Sequence, residues 1–90
     1  MDAKVRNNTA HSRYELTVDD ATAVAVYEIR DGAIAFTHTE VPRSLSGQGV
    51  GSALARGALD DARAAGKKVV PLCSFIAAYI ERHPEYKDLT

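Results

Sequence analysis

The chain has no tryptophan, one methionine and one cysteine among its 90 residues. A lone Cys73 cannot close an internal disulfide, which excludes the disulfide-stapled class of small secreted domains and leaves this residue as a free thiol. A reducing, cytoplasmic setting is the simplest fit. No apolar run approaches the roughly 20 residues that cross a bilayer, and Met1-Asp2-Ala3-Lys4 opens polar, without a signal-peptide core. An excess of charge of either sign is missing too: 11 Lys and Arg against 12 Asp and Glu give a formal net charge of -1. That balance argues against a nucleic-acid partner held by a basic face. No Cys, His and carboxylate spacing suggests a metal.

What is present is ordinary globular material, 46% hydrophobic and 26% charged. The length suits one small core, so residues 1–90 read as a single domain. Lys4 to Thr9 is polar and reads as a short edge strand or an ordered arm. From Ser12, Tyr14, Leu16 and Val18 alternate against Arg13, Glu15 and Thr17, the period-two signature of a half-buried strand. Thr22 to Ile29 carries Val24, Val26, Tyr27 and Ile29 on both parities, which predicts a central strand covered on both faces. Arg30-Asp31-Gly32-Ala33 predicts a two-residue type I′ hairpin. Ala33 to Val41 then sets Ile34, Phe36, His38 and Glu40 on one face and Ala35, Thr37, Thr39 and Val41 on the other, until Pro42, lacking an N–H, ends the ladder.

A helix follows from about Gly49 to Ala65, with Val50, Leu54, Ala58, Ala62 and Ala65 on one stripe and Gly66 placed to cap it. Lys68 to Leu72 is short and β-branched, a buried strand reached by a helical crossover and so parallel to the strand that ends at Val41. Phe75 to His83 has helical composition, with Ser74 as its N-cap and Pro84 ending it; Glu85 to Thr90 reads as a loosely packed strand or coil.

Between the meander and the first helix lies Arg43-Ser44-Leu45-Ser46-Gly47-Gln48-Gly49-Val50-Gly51-Ser52. Glycines at 47, 49 and 51 leave the backbone bare, and the helix start adds unpaired N–H donors and the positive end of its dipole, so the stretch suits a phosphate cradle. The same spacing suits a plain strand-to-helix turn, and spacing alone does not choose. It is not a P-loop, since no Lys-Ser or Lys-Thr closes it, and it lacks the second half of the dinucleotide fingerprint. Among nucleotide-type ligands that leaves a pyrophosphate held by backbone.

Four blocks, Thr39-Glu40-Val41-Pro42, Gly47 to Leu54, Val69-Val70-Pro71-Leu72-Cys73-Ser74-Phe75 and Tyr79 to Tyr86, make the chain resemble the GCN5-related N-acetyltransferase superfamily, and within it the small YjdJ-like branch. The resemblance runs from Asn8 to the end. It implies an α/β (α+β) minimal fold: an antiparallel meander, then a strand, loop, helix, strand, helix unit, in a mixed sheet with splayed central strands. It also implies an acyl-CoA-dependent, in the first place acetyl-CoA-dependent, N-acyltransferase. The loop from Arg43 through Ser46, Gly47, Gln48, Gly49, Val50 and Gly51 to Ser52 would hold the coenzyme A pyrophosphate. The pantetheine arm would lie along Thr39 and Val41 like an added strand, with Ser74 nearby. The superfamily writes its loop as Arg or Gln, two residues, Gly, one residue, Gly or Ala; with Gly49 and Gly51 aligned, Ser46 stands in the Arg/Gln position and carries no charge. Arg43 and Gln48 are close enough in sequence to compensate.

Acyl transfer from a thioester to an amine needs alignment, polarisation of the carbonyl and two proton movements. Cys73 ends a strand ahead of a helix start, where a thiol pKa falls; the resemblance implies that it faces the thioester, and the competing reading is a buried structural thiol. Tyr79 stands on the last helix, where relatives place a tyrosine that protonates the departing thiolate, although by itself it reads as core. His38 and Glu40 share a parity beside the cofactor strand and would relay the amine's proton; a satisfied strand histidine and a solvated charge are the plainer readings. His83 reads as a helix C-terminal histidine. The superfamily's usual N-terminal helical pair has no room in 90 residues, so the acceptor site would be open, which suits an exposed lysine or N-terminus on a protein. The alternative is a coenzyme A-binding or protein-interaction module without catalysis.

Overall fold

The computed structural model describes residues 4–90 of the chain. The alternation around Tyr14 becomes β2 (Arg13–Val18), flanked by the short β1 (Arg6–Asn8) and the long β3 (Ala21–Arg30). Asp31 and Gly32 take φ of 51° and 79°, the paired left-handed backbone that a type I′ turn needs, and β3 folds back onto β4 (Ala33–Glu40). Helix α1 (Val50–Ala64) then crosses over the sheet, β5 (Val69–Pro71) adds parallel to β4, and α2 (Ser74–Arg82) follows. The five strands are ordered β1-β2-β3-β4-β5, a mixed sheet of α+β class consistent with the minimal fold implied by sequence.

Both helices pack on one sheet face. Tyr14, Leu16, Ala23, Ala25, Tyr27 and Phe36 meet Val50, Leu54, Ala55, Ala58, Leu59 and Ala62 of α1 and Ile76, Tyr79 and Ile80 of α2 in one apolar core. The inward stripe of α1 thus uses Ala55 and Leu59, while Ala65, expected on it, is exposed beyond the last turn. The alanines bring the helix axis close to the sheet. Its end is a Schellman cap, with Lys67 N–H bonding the Ala62 carbonyl and Gly66 N–H the Arg63 carbonyl, both at 3.0 Å.

Coverage of β3 on both faces is corrected. Ala23, Ala25 and Tyr27 are buried, but Val24 and Val26 on the other face are only half-buried, with no helix over that face among the described residues. Their shelter is lateral: Val26 lies between Arg13 and His38, and Val24 between Glu15 and Glu40. The tail is corrected as well. Pro84–Leu89 is a 3₁₀ helix with Tyr86 and Leu89 buried. It is tied to α1 by Tyr86 Oη donating to Asp60 at 2.7 Å and by a two-pronged Arg63–Asp88 pair at 2.8 and 2.9 Å. Ser74 is the first residue of α2; the N-cap is Cys73, and no side chain caps it.

β4 holds a bulge. Tyr27 faces Phe36 and Val26 faces His38, so Thr37 is an extra residue, its hydroxyl donating to the Val26 carbonyl at 3.4 Å. The faces therefore exchange along the strand. Ile34 and Phe36 point to the helices, and so does Thr39, opposite the buried Ala25. His38 and Glu40 point to the uncovered side, not the Phe36 side that unbroken alternation predicts.

On that side, Glu15 accepts from Arg13 at 2.7 Å, Asn8 at 3.1 Å and Arg6 at 3.2 Å. Those donors, Arg13 foremost, outweigh partial burial and hold its carboxyl down from the ordinary 4.5 to about 2. Since the folded state lowers this pKa, the carboxylate stabilises the fold fully above about pH 4.5 and the contribution disappears as pH falls toward 2. Thermal melts across that window should therefore show a steeper acid loss for the native chain than for Glu15→Gln, and superimposable profiles would refute the role of this carboxylate.

Candidate functional site

The loop after β4 begins with a 3₁₀ turn, Arg43–Leu45, which sinks Leu45 into the core and turns the chain toward α1. Gly47 and Gly49 then take φ of 80° and 73°, a left-handed backbone open only at a cost to residues with a Cβ. The N–H groups of Ser46 and Gln48 are used within the loop, by the carbonyls of Arg43 and Leu45 at 3.0 and 3.3 Å. Those of Gly47, Gly49 and the first turn of α1 are the donors left over. They border an open cavity of about 480 Å³, walled by Val41, Arg43, Leu45, Ser46, Gly47, Gly49, Val50, Gly51 and Phe75.

Gly51 is small for a different reason. A Cβ there would stand 2.7 Å from the Phe75 ring and 3.4 Å from the Val41 side chain. Helix α1 therefore starts in close contact with the start of α2 and with the end of β4.

The cavity leads back to a split between strands. β4 and β5 pair only from Ile34–Val69 to Phe36–Pro71, and Pro71 has no N–H with which to continue. Cys73 N–H makes one more bond, to the Phe36 carbonyl at 2.8 Å, and there the chains part. β4 runs on to Glu40 with its β5-side edge unpaired. At the apex, Thr39 Oγ1 and Cys73 Sγ lie 3.2 Å apart. Val41, two residues past Thr39, and Phe75, two past Cys73, form facing walls of the cavity. Burial pushes the Cys73 thiol up, but hydrogen bonds from the Thr39 hydroxyl and from the backbone of Ile76, Phe75 and Thr39 outweigh it, and its pKa lies below the ordinary value.

The expected site residues are thus dispersed, with most but not all of them at the cavity. Thr39, Val41, Arg43, Ser46, Gly47, Gly49, Val50, Gly51 and Cys73 line the cavity or its apex. Gln48 turns away, its amide donating to the Ser44 carbonyl at 3.2 Å, which leaves Arg43 as the charged side chain beside Ser46. Ser74 is exposed at the start of α2. His38 and Glu40 pair with each other at 3.1 Å on the uncovered sheet face, both largely exposed. Tyr79 is buried with its ring stacked on His83, on a separate groove between α1 and α2 that also takes in Ser52.

Leu45 and Phe75 were not anticipated. A single leucine in a polar loop was the available signal for the first, whereas Phe75 reads from sequence as one more apolar residue of α2. Among the described residues no three His, Cys, Asp or Glu side chains converge as metal ligands, and no helix is long and apolar enough to cross a membrane.

A family model described as GCN5-related N-acetyl-transferase matches residues 13–89. No curated protein matches the chain.

Once Cys73 is a thiolate the Thr39 hydroxyl, 3.2 Å away, is positioned to donate to it, so Thr39→Val should move the midpoint of Cys73 alkylation by iodoacetamide to higher pH. An unmoved midpoint would strip the hydroxyl of that role.

Proposed function

The chain belongs to the GCN5-related N-acetyltransferase family, and from that membership we propose that it is a minimal N-acyltransferase that takes acetyl-CoA as donor and an exposed lysine or N-terminus of a protein as acceptor. The Val69 to Phe75 and Tyr79 to Tyr86 blocks support placing it in the small YjdJ-like branch, and the free thiol suits a reducing cytoplasm.

The observation that carries this reading is the continuity of three features. Spare N–H donors at Gly47, Gly49 and the start of α1 face a cavity, the cavity follows an unpaired strand edge, and the edge ends at a thiol with a lowered pKa. The residues fit the donor at each point. Backbone N–H groups and Arg43 would hold the pyrophosphate, with Ser46 adding a neutral hydroxyl. The free edge from Thr39 to Val41 would receive the pantetheine amides as an extra strand. Coenzyme A supplies the activated acyl group as a thioester.

In the reaction the amine lone pair adds to the carbonyl carbon, the carbon–sulfur bond breaks, and one proton passes from nitrogen to the departing sulfur. Cys73 carries that proton. Its lowered pKa supplies a thiolate fraction to accept it, and the resulting thiol returns it to the more basic coenzyme thiolate. The uncovered sheet face bearing His38 and Glu40 leaves the acceptor side open, as a protein-borne amine requires.

Titration calorimetry with acetyl-CoA, followed by thiol release assayed with lysine peptides, polyamines and aminoglycosides, tests the proposal. We expect binding, and release with lysine peptides. Cys73→Ala should bind acetyl-CoA as the native chain does and lose on the order of 100-fold in kcat. Binding without release across the panel would make the protein a coenzyme A-binding module, turnover on small amines alone would remove the protein acceptor, and absence of binding would end the reading altogether.

A further inference from the structure

At the hairpin end of β3 and β4, opposite the loop, lies another cavity, of about 240 Å³. Its floor is the buried Tyr14, Tyr27 and Ile34. Phe36 separates it from the thiol: the ring lies against both tyrosines, and the Phe36 carbonyl holds the Cys73 N–H at 2.8 Å. The cavity therefore belongs neither to the donor cleft nor to the acceptor side.

Two opposite charges share this cavity without meeting. Asp61 lines it from α1, and one oxygen of its carboxylate accepts the Tyr14 hydroxyl at 2.7 Å. Burial and that carboxylate push the Tyr14 pKa up, so the hydroxyl stays a donor and holds Asp61 in place over β2. The second carboxylate oxygen keeps its full acceptor capacity. Lys67 lines the cavity from the other side. It precedes Lys68, whose carbonyl accepts the Ile34 N–H at 2.8 Å, and so comes in from beyond β4. Its ammonium makes no hydrogen bond or ion pair among the described residues, with Asp61 or with any other carboxylate. What lies between the two charges is apolar: Ile29 on β3, 55% exposed, and Ile34 on β4.

A ligand that fits carries a cation toward Asp61, an anion toward Lys67 and apolar bulk between them. A polyanion is repelled at the first and a polyamine at the second. Size narrows the class further. β2 and β4 are two strand spacings apart, about 9.5 Å. In a free α-amino acid the ammonium and a carboxylate oxygen are about 3 Å apart, and a charge-assisted hydrogen bond of about 2.8 Å at each end extends that to about 8.6 Å. We propose that the cavity binds a free α-amino acid with an apolar side chain, its ammonium on Asp61, its carboxylate on Lys67 and its side chain over Ile29, Ile34 and the Tyr27 ring. The site is a second ligand site, independent of the acetyl-CoA reading.

The test is titration calorimetry of the native chain with L-leucine, with glycine, with isoamylamine, which is leucine without its carboxylate, and with isocaproate, which is leucine without its amine. Leucine should bind saturably. Each of the other three should bind at least about tenfold more weakly, having lost the buried side chain or one charged contact. Lys67→Gln should weaken leucine about tenfold without weakening isoamylamine. Asp61→Asn, whose amide oxygen still accepts from Tyr14, should weaken leucine by a similar factor without weakening isocaproate. Absence of saturable leucine binding, equal affinities for all four ligands, or a leucine affinity that both substitutions leave unchanged would overturn the site. None of these outcomes bears on the loop cavity, which titration with acetyl-CoA tests on its own.

Discussion

The extra residue in β4 decides which side chains meet at the split between strands. If period two continued through Thr37, the face that carries Ile34 and Phe36 would carry His38 and Glu40 under the helices, and Thr39 would point outward. Enclosing an imidazole and a carboxylate on the helix side of the sheet without partners would cost several kcal/mol. The bulge at Thr37 removes that conflict by sending His38 and Glu40 to the uncovered face. It brings the Thr39 hydroxyl to the Cys73 sulfur in the same step. A bulge also bends its strand, and β4 departs from β5 within a few residues of it. Opening of the cleft and inward aim of its polar contents thus share one cause.

Two further residues make that split usable. Pro71 cannot donate to the ladder, so β5 stops where the cleft begins, and the unpaired edge of β4 beyond Phe36 is left exposed to a ligand. Gly51 lets the first turn of α1 sit against Phe75 and Val41. With a larger residue the helix start would stand off, and its N–H donors would no longer share a cavity with the strand edge. The alanines further along α1 continue the close approach over β2 and β3. The position of the loop is therefore fixed by packing along the helix from Gly51 onward, and Gly47 and Gly49 contribute conformation and not close packing.

Features set by local chemistry were legible in the sequence. Asp31-Gly32 specified its hairpin because few residue pairs tolerate two positive φ values, and Gly66 marked the end of α1 for the same reason. The parallel pairing of β5 followed from the helical crossover. The bulge was not legible, since Ile34, Phe36, His38 and Glu40 keep an unbroken alternation through it; its only trace is that polar residues take over an apolar parity after Phe36. The tail was misread because its partners are remote in sequence: Tyr86 bonds Asp60 of α1 and lies against Tyr79 of α2, and Arg63 holds the Glu85 carbonyl and Asp88. The dispersal of Gln48, Ser52 and Tyr79 away from the loop cavity was hidden as well. Proximity in sequence says which residues share a turn, but helix rotation of about 100° per residue decides which groove each one faces.

The open sheet face has a consequence for the proposed chemistry. A thioester at the cleft is exposed to water as well as to amines, and favouring transfer over hydrolysis requires excluding solvent when the amine arrives. The inner wall meets part of that need, since Cys73 is only 9% exposed and Thr39 is half-buried. The outer wall, where His38 and Glu40 stand at 61% and 73% side-chain exposure, offers none. A small amine would leave that side wet. An amine carried on a folded surface brings its own covering, and the Val24 and Val26 rows between charged neighbours offer it apolar ground to rest on. The openness of that face and the proposed size of the acceptor would then be one property: the folded surface that carries the amine supplies the cover that His38 and Glu40 do not.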